Sequence, residues 1–566
     1  MKQQTDPSSI FANWKRDQAY KQKMGFTSDW PNFVNFKEGK QWPARVVAKW
    51  KNFTFMTINQ CDFIVESKKS NILAQNIKNV FKPKDVPQEM DEEMEASILE
   101  KAKDYTDLAA NTWVDVGQNQ LNNDAVDAAL TIGTGVYHYY YDKTFTGGEY
   151  VPTKGRIGAH TVDAMDIALG NPHLRPHEIQ KQPYIILKTY ENVDEVKEYA
   201  KNNGSDYLLI VADADNDEEY ESGKNDLEQP NKVVCLTMYY KENGGVQWTK
   251  VTRSATVQKT RSLSPTERPF KLYPVRLLVF KARYKSSYGR SILEDVISVQ
   301  KGINFLYSMI AYGVQQTAWP KILAKAGALI QAITNEPGEV VTDNDKNSPG
   351  DSIKYMQPPN FSNMPPLLID KLTESMRQTT NTGDVISGET LGANMAVGTV
   401  MALQNQAKKP NEMYVKQLND SMKHVGKIEE EFFKCYYILP RSVVSEDKEG
   451  KMVSKIFTPS DYADMEFELE VDCGAGGEFS EPLQMAFIQP MFDKGAIDKY
   501  QYVKYSPKSL VPVGMAQDFE DEQQALKEQQ EQMAQQGAQV DDVMSQLTPE
   551  EQQALQADPS LMEGLV

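Results

Sequence analysis

The sequence is poor in the residues from which reactive centres are usually built. Its four cysteines, Cys61, Cys235, Cys435 and Cys473, lie far apart among 566 residues and form no CxxC pair, so neither a zinc ribbon nor a dithiol redox motif is indicated. They read as free thiols in a reducing compartment. Histidine is also scarce, at five residues, and neither an HExxH pair nor a GxSxG elbow occurs. A phosphate-cradling GxxxxGK[ST] loop is missing: Gly39-Lys40, Gly223-Lys224, Gly426-Lys427 and Gly450-Lys451 all lack the earlier Gly and the following Ser or Thr. The chain is therefore not expected to be a motor that burns ATP. No run of about eighteen apolar residues occurs, and the start, MKQQTDPSSIF, carries no apolar leader segment. The expectation is a soluble protein, with no membrane partner, made and used in a cytoplasm. Positive charge is in deficit too. With 61 basic against 79 acidic residues the formal charge is -18, which argues against gripping nucleic acid over the whole surface, because such binding runs through counterion release by Lys and Arg.

Apolar residues make up 40% of the chain, enough to bury several cores across three or four subdomains. Up to about residue 105, short amphipathic segments alternate with breakers, and "FKEGKQWP" (Phe36 to Pro43) reads as a turn that packs an aromatic. "DLAANTWVDVGQNQLNNDAVDAALTIGTGVYHYYYD" (Asp107 to Asp142) reads as helix, tight turn, strand. From about 150 to 280 the runs "YIILKTY", "KVVCLTMYY" and "LYPVRLLVF" read as strands, with one helical stretch from Val193 to Lys201. The fold class expected is α+β.

Three features invite a chemical reading. His173 and His177 have helical metal-ligand spacing, but Pro172 and Pro176 favour a loop, and no metal site is assigned. "DADNDEEYESGK" (Asp213 to Lys224) supplies carboxylates at the first, third and fifth positions of a calcium loop. It has Glu218 where Gly belongs and Lys224 where the bidentate Glu belongs, so a solvated acidic loop is the better reading. From Lys250 to Arg290, eleven basic residues face one acid, Glu267. That segment is read as a solvated strand face, or as one that makes inter-subunit salt bridges to the acidic segments, in preference to a nucleic-acid contact. No cofactor and no catalytic residue is assigned.

"SILEDVISVQKGINFLYSMIAYG" (Ser291 to Gly313) has apolar residues at helical spacing, Leu293, Val296, Ile303, Leu306 and Ile310, continued by Val314. Glu294, Asp295, Lys301, Asn304 and Ser308 make the remainder too polar for a membrane span. "WPKILAK" (Trp319 to Lys325) ends this helix, since Pro320 disfavours helical geometry before it. A β-like insert with "EPGEVV" (Glu336 to Val341), a second helix from Leu367 to about Thr380, a Gly- and Asn-rich stretch, "NTGDVISGETLGANMAVG" (Asn381 to Gly398), and a long helix to about Tyr437 follow. Later, "MEFELEVDC" (Met465 to Cys473) alternates as a strand with one wet face, and a helical pair, 481–494 and 499–504, precedes a Gln-rich acidic tail from Gln517.

The ordered set resembles the portal protein family of tailed double-stranded DNA bacteriophages. It is carried by "FKEGKQWP", "DAALTIGTGVYHYYYD", "DAMDIALGNP", "YGRSILEDVISVQKGINFLYSM", "EPGEVV", "SGETLGANMAVGTVMALQNQAKKP" and "FDKGAIDKYQYVKYS", over about residues 25 to 515. The resemblance implies an α/β wing at 1–290, a stem helix at 291–318, a small β-rich clip at 319–366, and a second stem helix at 367–380. A tunnel loop at 381–398, a long helix with the rest of the wing at 399–475, a helical crown at 476–516 and the tail at 517–566 complete it.

It further implies a dodecameric ring at one capsid vertex of the virion, assembled in the host cytoplasm with capsid and scaffolding proteins. A separate terminase large subunit would drive double-stranded DNA through it, and head-completion or tail adaptor proteins would dock later. By position, Asn381, Gly383, Ser387, Gly388, Gly392, Asn394 and Gly398 would form the tunnel loop near DNA. Lys301 and Asn304 would face the channel from the stem. Trp319, Lys321, Lys325, Glu336 and Glu339 would dock partners at the clip. Two alternatives stand beside this: a nucleic-acid-processing enzyme using the 250–290 face, and another head-tail connector or minor capsid protein.

Overall fold

A computed structural model describes residues 5–50, 53–75, 77–84, 92–147, 154–212, 231–318, 322–324, 353–355, 364–382, 397–446, 452–462, 464–472, 480–497, 499, 501–502 and 506. Helices and sheets are mixed, as the α+β expectation holds, and the chain divides into two units, 1–472 and 473–566.

The first unit opens with α1 (Pro7–Lys23), whose start is set locally: Asp6 accepts from the Ser9 amide and Pro7 needs no hydrogen bond at that position. Gly25, at φ 81, lets the chain turn into α2 (Phe26–Lys37), which stacks Phe26 and Trp30 around the buried Tyr288. α3 (Ala44–Lys49) and α4 (Gln60–Leu73) follow. The expected turn at Phe36 to Pro43 buries Phe36, and the Gln41 side chain donates to its carbonyl at 2.7 Å.

After β1 (Lys78–Pro83) come α5 (Glu92–Asp115) and α6 (Gln118–Thr131). The sequence reading treats this stretch as one helix, but Gly117 adopts φ 64 and separates the two. Gly133 and Gly135 then turn the chain into β2 (Gly135–Thr146): a Cβ at Gly135 would stand 2.2 Å from the Ala125 carbonyl oxygen, so only glycine lets strand and helix approach this closely. β2 pairs with β3 (Lys154–Val162), and β4 (Ile167–Leu169) is followed by β5 (Tyr184–Asn192), α7 (Val193–Asn202), β6 (Lys232–Glu242), β7 (Gly245–Val251), β8 (Thr256–Ser262) and β9 (Val275–Leu278). Two sheets result, β3-β2-β9 and the antiparallel meander β4-β5-β6-β7-β8.

α1 is fixed to the meander by a buried polar knot. The Lys21 ammonium lies 3.2 Å from Asp17 and donates to the Met165 and Ile167 carbonyls, while the Tyr288 hydroxyl donates to Asp17.

α8 spans Ile297–Ala318, six residues later than the expected start at Ser291. The Ser291 hydroxyl donates to the Thr131 carbonyl at the end of α6 and accepts from the Leu293 amide, so residues Leu293–Asp295 form a 3-10 turn that roots the helix instead of extending it. β10 (Ile322–Ala324) pairs antiparallel with β11 (Ile353–Tyr355). α9 (Met364–Thr380) begins ahead of the expected Leu367, because Pro365 and Pro366 occupy its first turn, where missing amides cost nothing.

The forty-residue α10 (Val397–Tyr436) takes in Gly398, which was expected in the loop. Its residues Leu418, Met422, Val425, Ile428 and Phe432 run down one buried stripe, with Phe432 edge-on to Phe270. β12 (Arg441–Glu446) pairs with β13 (Met452–Phe457), and β14 (Phe467–Asp472) returns to β1, with Phe467 and Leu469 buried and Glu468 and Glu470 in solvent. In the second unit, α11 spans Ser480–Asp493. The acidic segment 213–224, the "EPGEVV" turn and the tail from 517 lie outside the described residues.

Candidate functional site

The polar residues that make α8 look unusual have a common explanation. Gln300, Asn304 and Ser308 are four apart, so they form one stripe, and all three are buried. Against the stripe runs the extended segment 53–59. The amides of Met56, Ile58 and Gln60 donate in turn to Ser308 Oγ at 2.9 Å, Asn304 Oδ1 at 3.1 Å and Gln300 Oε1 at 3.2 Å. Four helical residues rise about 6.0 Å and two extended residues about 6.6 Å, so alternate amides of the strand-like segment meet successive turns of the helix. Gln300 also donates to the Ile58 carbonyl, and Asn304 donates to Gln41.

This corrects the expectation for Asn304. It is 2% exposed and fully engaged within its own chain, because an extended segment some 250 residues earlier covers that face. Lys301, one residue round from the stripe, remains in solvent, with its ammonium 5.3 Å from the Phe36 ring centre.

A second face of α8 is apolar and uncovered. Phe305 is 53% and Met309 40% exposed, and with Tyr312 they line a groove of about 570 Å³ whose other wall is Trp42, Trp50, Phe53 and Phe55. Among the described residues that line it, Lys49 is the one charged side chain. On the neighbouring helix, Leu372 of α9 sits 3.7 Å from where a Cβ of Gly302 would stand, an ordinary van der Waals separation, so α9 packs beside α8 there. Leu367 and Leu368 of α9 are left in solvent.

The basic segment 250–290 is partly spent inside the chain, while Arg253, Lys259, Arg261, Lys271 and Lys285 are exposed. Lys250 pairs with Glu191 at 2.6 Å, Lys281 with Asp295 at 3.2 Å, and Arg283 with Glu294 at 2.8 Å, while Arg290 reaches both Glu294 and Asp295. The pairs to Glu294 and Asp295 clamp the loop before α8 to the turn that roots it, whereas Lys250–Glu191 ties β7 to β5. Arg276 is buried in β9. These salt bridges lie within the chain and not between subunits, and five exposed basic residues remain on the segment.

Other groups with reactive chemistry are held inert by burial. Desolvation pushes the Cys61 thiol up to about 12 and the Cys435 thiol to about 11, and it holds His138 down to about 3, with His160 beside it adding to the effect. His173 packs edge-on against Tyr20, and residues Pro176–Lys181 form a 3-10 turn. Among the described residues no three His, Cys, Asp or Glu are grouped so as to hold a metal, and no helix is long and apolar enough to cross a membrane.

Of the loop residues, Asn381 closes α9 at φ 52, where the following amide, Thr382, donates to the Arg377 carbonyl. Gly383, Ser387, Gly388, Gly392 and Asn394 lie outside the described residues, as do Trp319, Lys321, Lys325, Glu336 and Glu339. Sequence reasoning missed the groove. Its signal is the density of aromatics in "WPARVVAKWKNFTF" (Trp42 to Phe55), too short a run to reveal that it lies beside a helix from mid-chain.

A family model described as Phage P22-like portal protein matches residues 158–466, more than half of the chain, from within β3 through α8, α9 and α10. No curated protein matches the chain.

Proposed function

The chain belongs to the P22-like phage portal protein family, and from that premise we propose that it forms a ring, dodecameric in the virion, through which the genome is packaged and later ejected. The family is structural rather than enzymatic, its place is the portal vertex of a phage virion, and it implies a ring and phage head partners. The finer reading is that α8 and α9 are the stem, that the segment around β10 and β11 is the clip on which the terminase large subunit and then adaptor proteins dock, and that residues 381–396 approach the DNA.

The observation that carries ring assembly is the uncovered apolar face of α8. A lone protomer gains nothing by holding Phe305, Met309 and Trp50 beside an open aromatic groove, whereas burying about 25 cal/mol per Å² of apolar surface against a second copy drives association. A head-to-tail ring needs two different complementary faces on each protomer, and Leu367 and Leu368 of α9 provide apolar side chains for the second.

The test is sedimentation of the full chain carrying Phe305→Glu and Met309→Glu together. Both side chains are exposed, so the unfolding temperature should be nearly unchanged while large assemblies disappear. Rings of unaltered size from the double variant would remove this face from the interface.

A further inference from the structure

A cavity of about 530 Å³ lies between β9, α10 and β14, remote in sequence from the stem. At its wall stands Arg276, the polar member of the otherwise apolar strand Val275–Leu278 and only 6% exposed. Its Nε and Nη1 are buried and have no hydrogen-bond partner. A guanidinium left so is costly, since a buried donor without an acceptor forfeits its hydration with no return. The Gln417 Oε1 on the same wall is likewise buried and unpaired. Unpaired donors and an unpaired acceptor in one cavity match a ligand that carries several acceptor oxygens and one hydroxyl.

The charge around them agrees. Lys423 and Lys427, four apart on α10, line the cavity with Arg276, against the carboxylates of Asp420 and Glu468, which are both exposed. Three permanent cations therefore outweigh two acids. His424 completes the wall, and burial, with Arg276 and Lys427 nearby, pushes it down to about 4, leaving a neutral imidazole that can still donate one N–H.

We propose that the cavity walled by Arg276, Gln417, His424 and Lys427 binds a small oxyanion of the phosphate class. A guanidinium presents paired N–H groups that match two oxygens of such an anion, and monohydrogen phosphate keeps a hydroxyl for Gln417. A free anion is the occupant rather than a nucleic-acid backbone, because a phosphodiester on a duplex cannot bring its oxygens to a side chain this deeply buried.

Calorimetric titration of the full chain with inorganic phosphate at constant ionic strength tests this, with sodium chloride and a short DNA duplex as parallel arms. Saturable one-site binding is expected with phosphate and not with chloride. Arg276→Gln should weaken it roughly tenfold or more, and Lys427→Gln, at an exposed position that leaves the core intact, several-fold. If Arg276→Gln fails to fold, Lys427→Gln decides alone. Absence of saturable phosphate binding, an unchanged affinity in Lys427→Gln, or displacement of phosphate by the duplex would overturn the assignment.

Discussion

Glu429 is a buried carboxyl whose protonation makes stability depend on pH. It lies on the inner face of α10, 1% accessible, with neither carboxyl oxygen hydrogen-bonded, and burial raises it from 4.5 to about 8. The unfolded chain releases this proton near 4.5 and the folded chain near 8, so between those values the folded state holds the extra proton and stability falls as pH rises. Glu429→Gln keeps the shape without the charge. It should match the wild type near pH 4 and gain a stability advantage that grows until about pH 8, read from unfolding temperatures across that range. Lys21 gives a second expectation. Lys21→Met strands the buried Asp17 carboxylate and should cost about 3–5 kcal/mol, whereas Lys21→Met with Asp17→Leu should recover most of it. Chemical denaturation of the three variants separates these outcomes. Asn304 marks what the sequence hid at this scale: helical spacing places it on a stripe with Gln300 and Ser308, but nothing local says that residues 56 to 60 cover that stripe.

At the scale of elements, periodicity was a good guide where one face is wet. The alternation in "MEFELEVDC" corresponds to β14, with Glu468 and Glu470 outward, and the helical spacing from Val193 corresponds to α7. Boundaries were less legible because they are set by distant contacts: Ser291 is tied to the end of α6, and a positive φ at Gly117 breaks what reads as one helix. The segment between α9 and α10 carries the proposed tunnel loop. Replacing residues 383–396 with a Gly-Ser linker of equal length should leave the protomer fold and ring assembly intact, since Asn381 and the Thr382 amide already close α9 and α10 begins at Val397. Packaging or retention of DNA should drop sharply, measured as filled against empty heads. Normal filling would remove the loop from any role at the DNA.

For the whole molecule, the charge of -18 is consistent with a conduit. Each phosphate neutralised by a Lys or Arg stabilises a stopped state of the DNA, so a channel that must let a genome pass gains from an overall acidic balance. Four of the eleven basic residues at 250–290 pair with Glu191, Glu294 and Asp295 within the chain, which reduces the local excess of base without removing it. The order of α8, α9 and the long α10, with β10 and β11 between the first two, was readable from the sequence, while the aromatic groove beside α8 was not, because its walls come from residues 42–55 and 305–312. Ring assembly rests on that groove and on the family. Electron micrographs of the purified full chain test it most directly: class averages should show closed rings with a central hole, and a stable monomer at high protein concentration would contradict it.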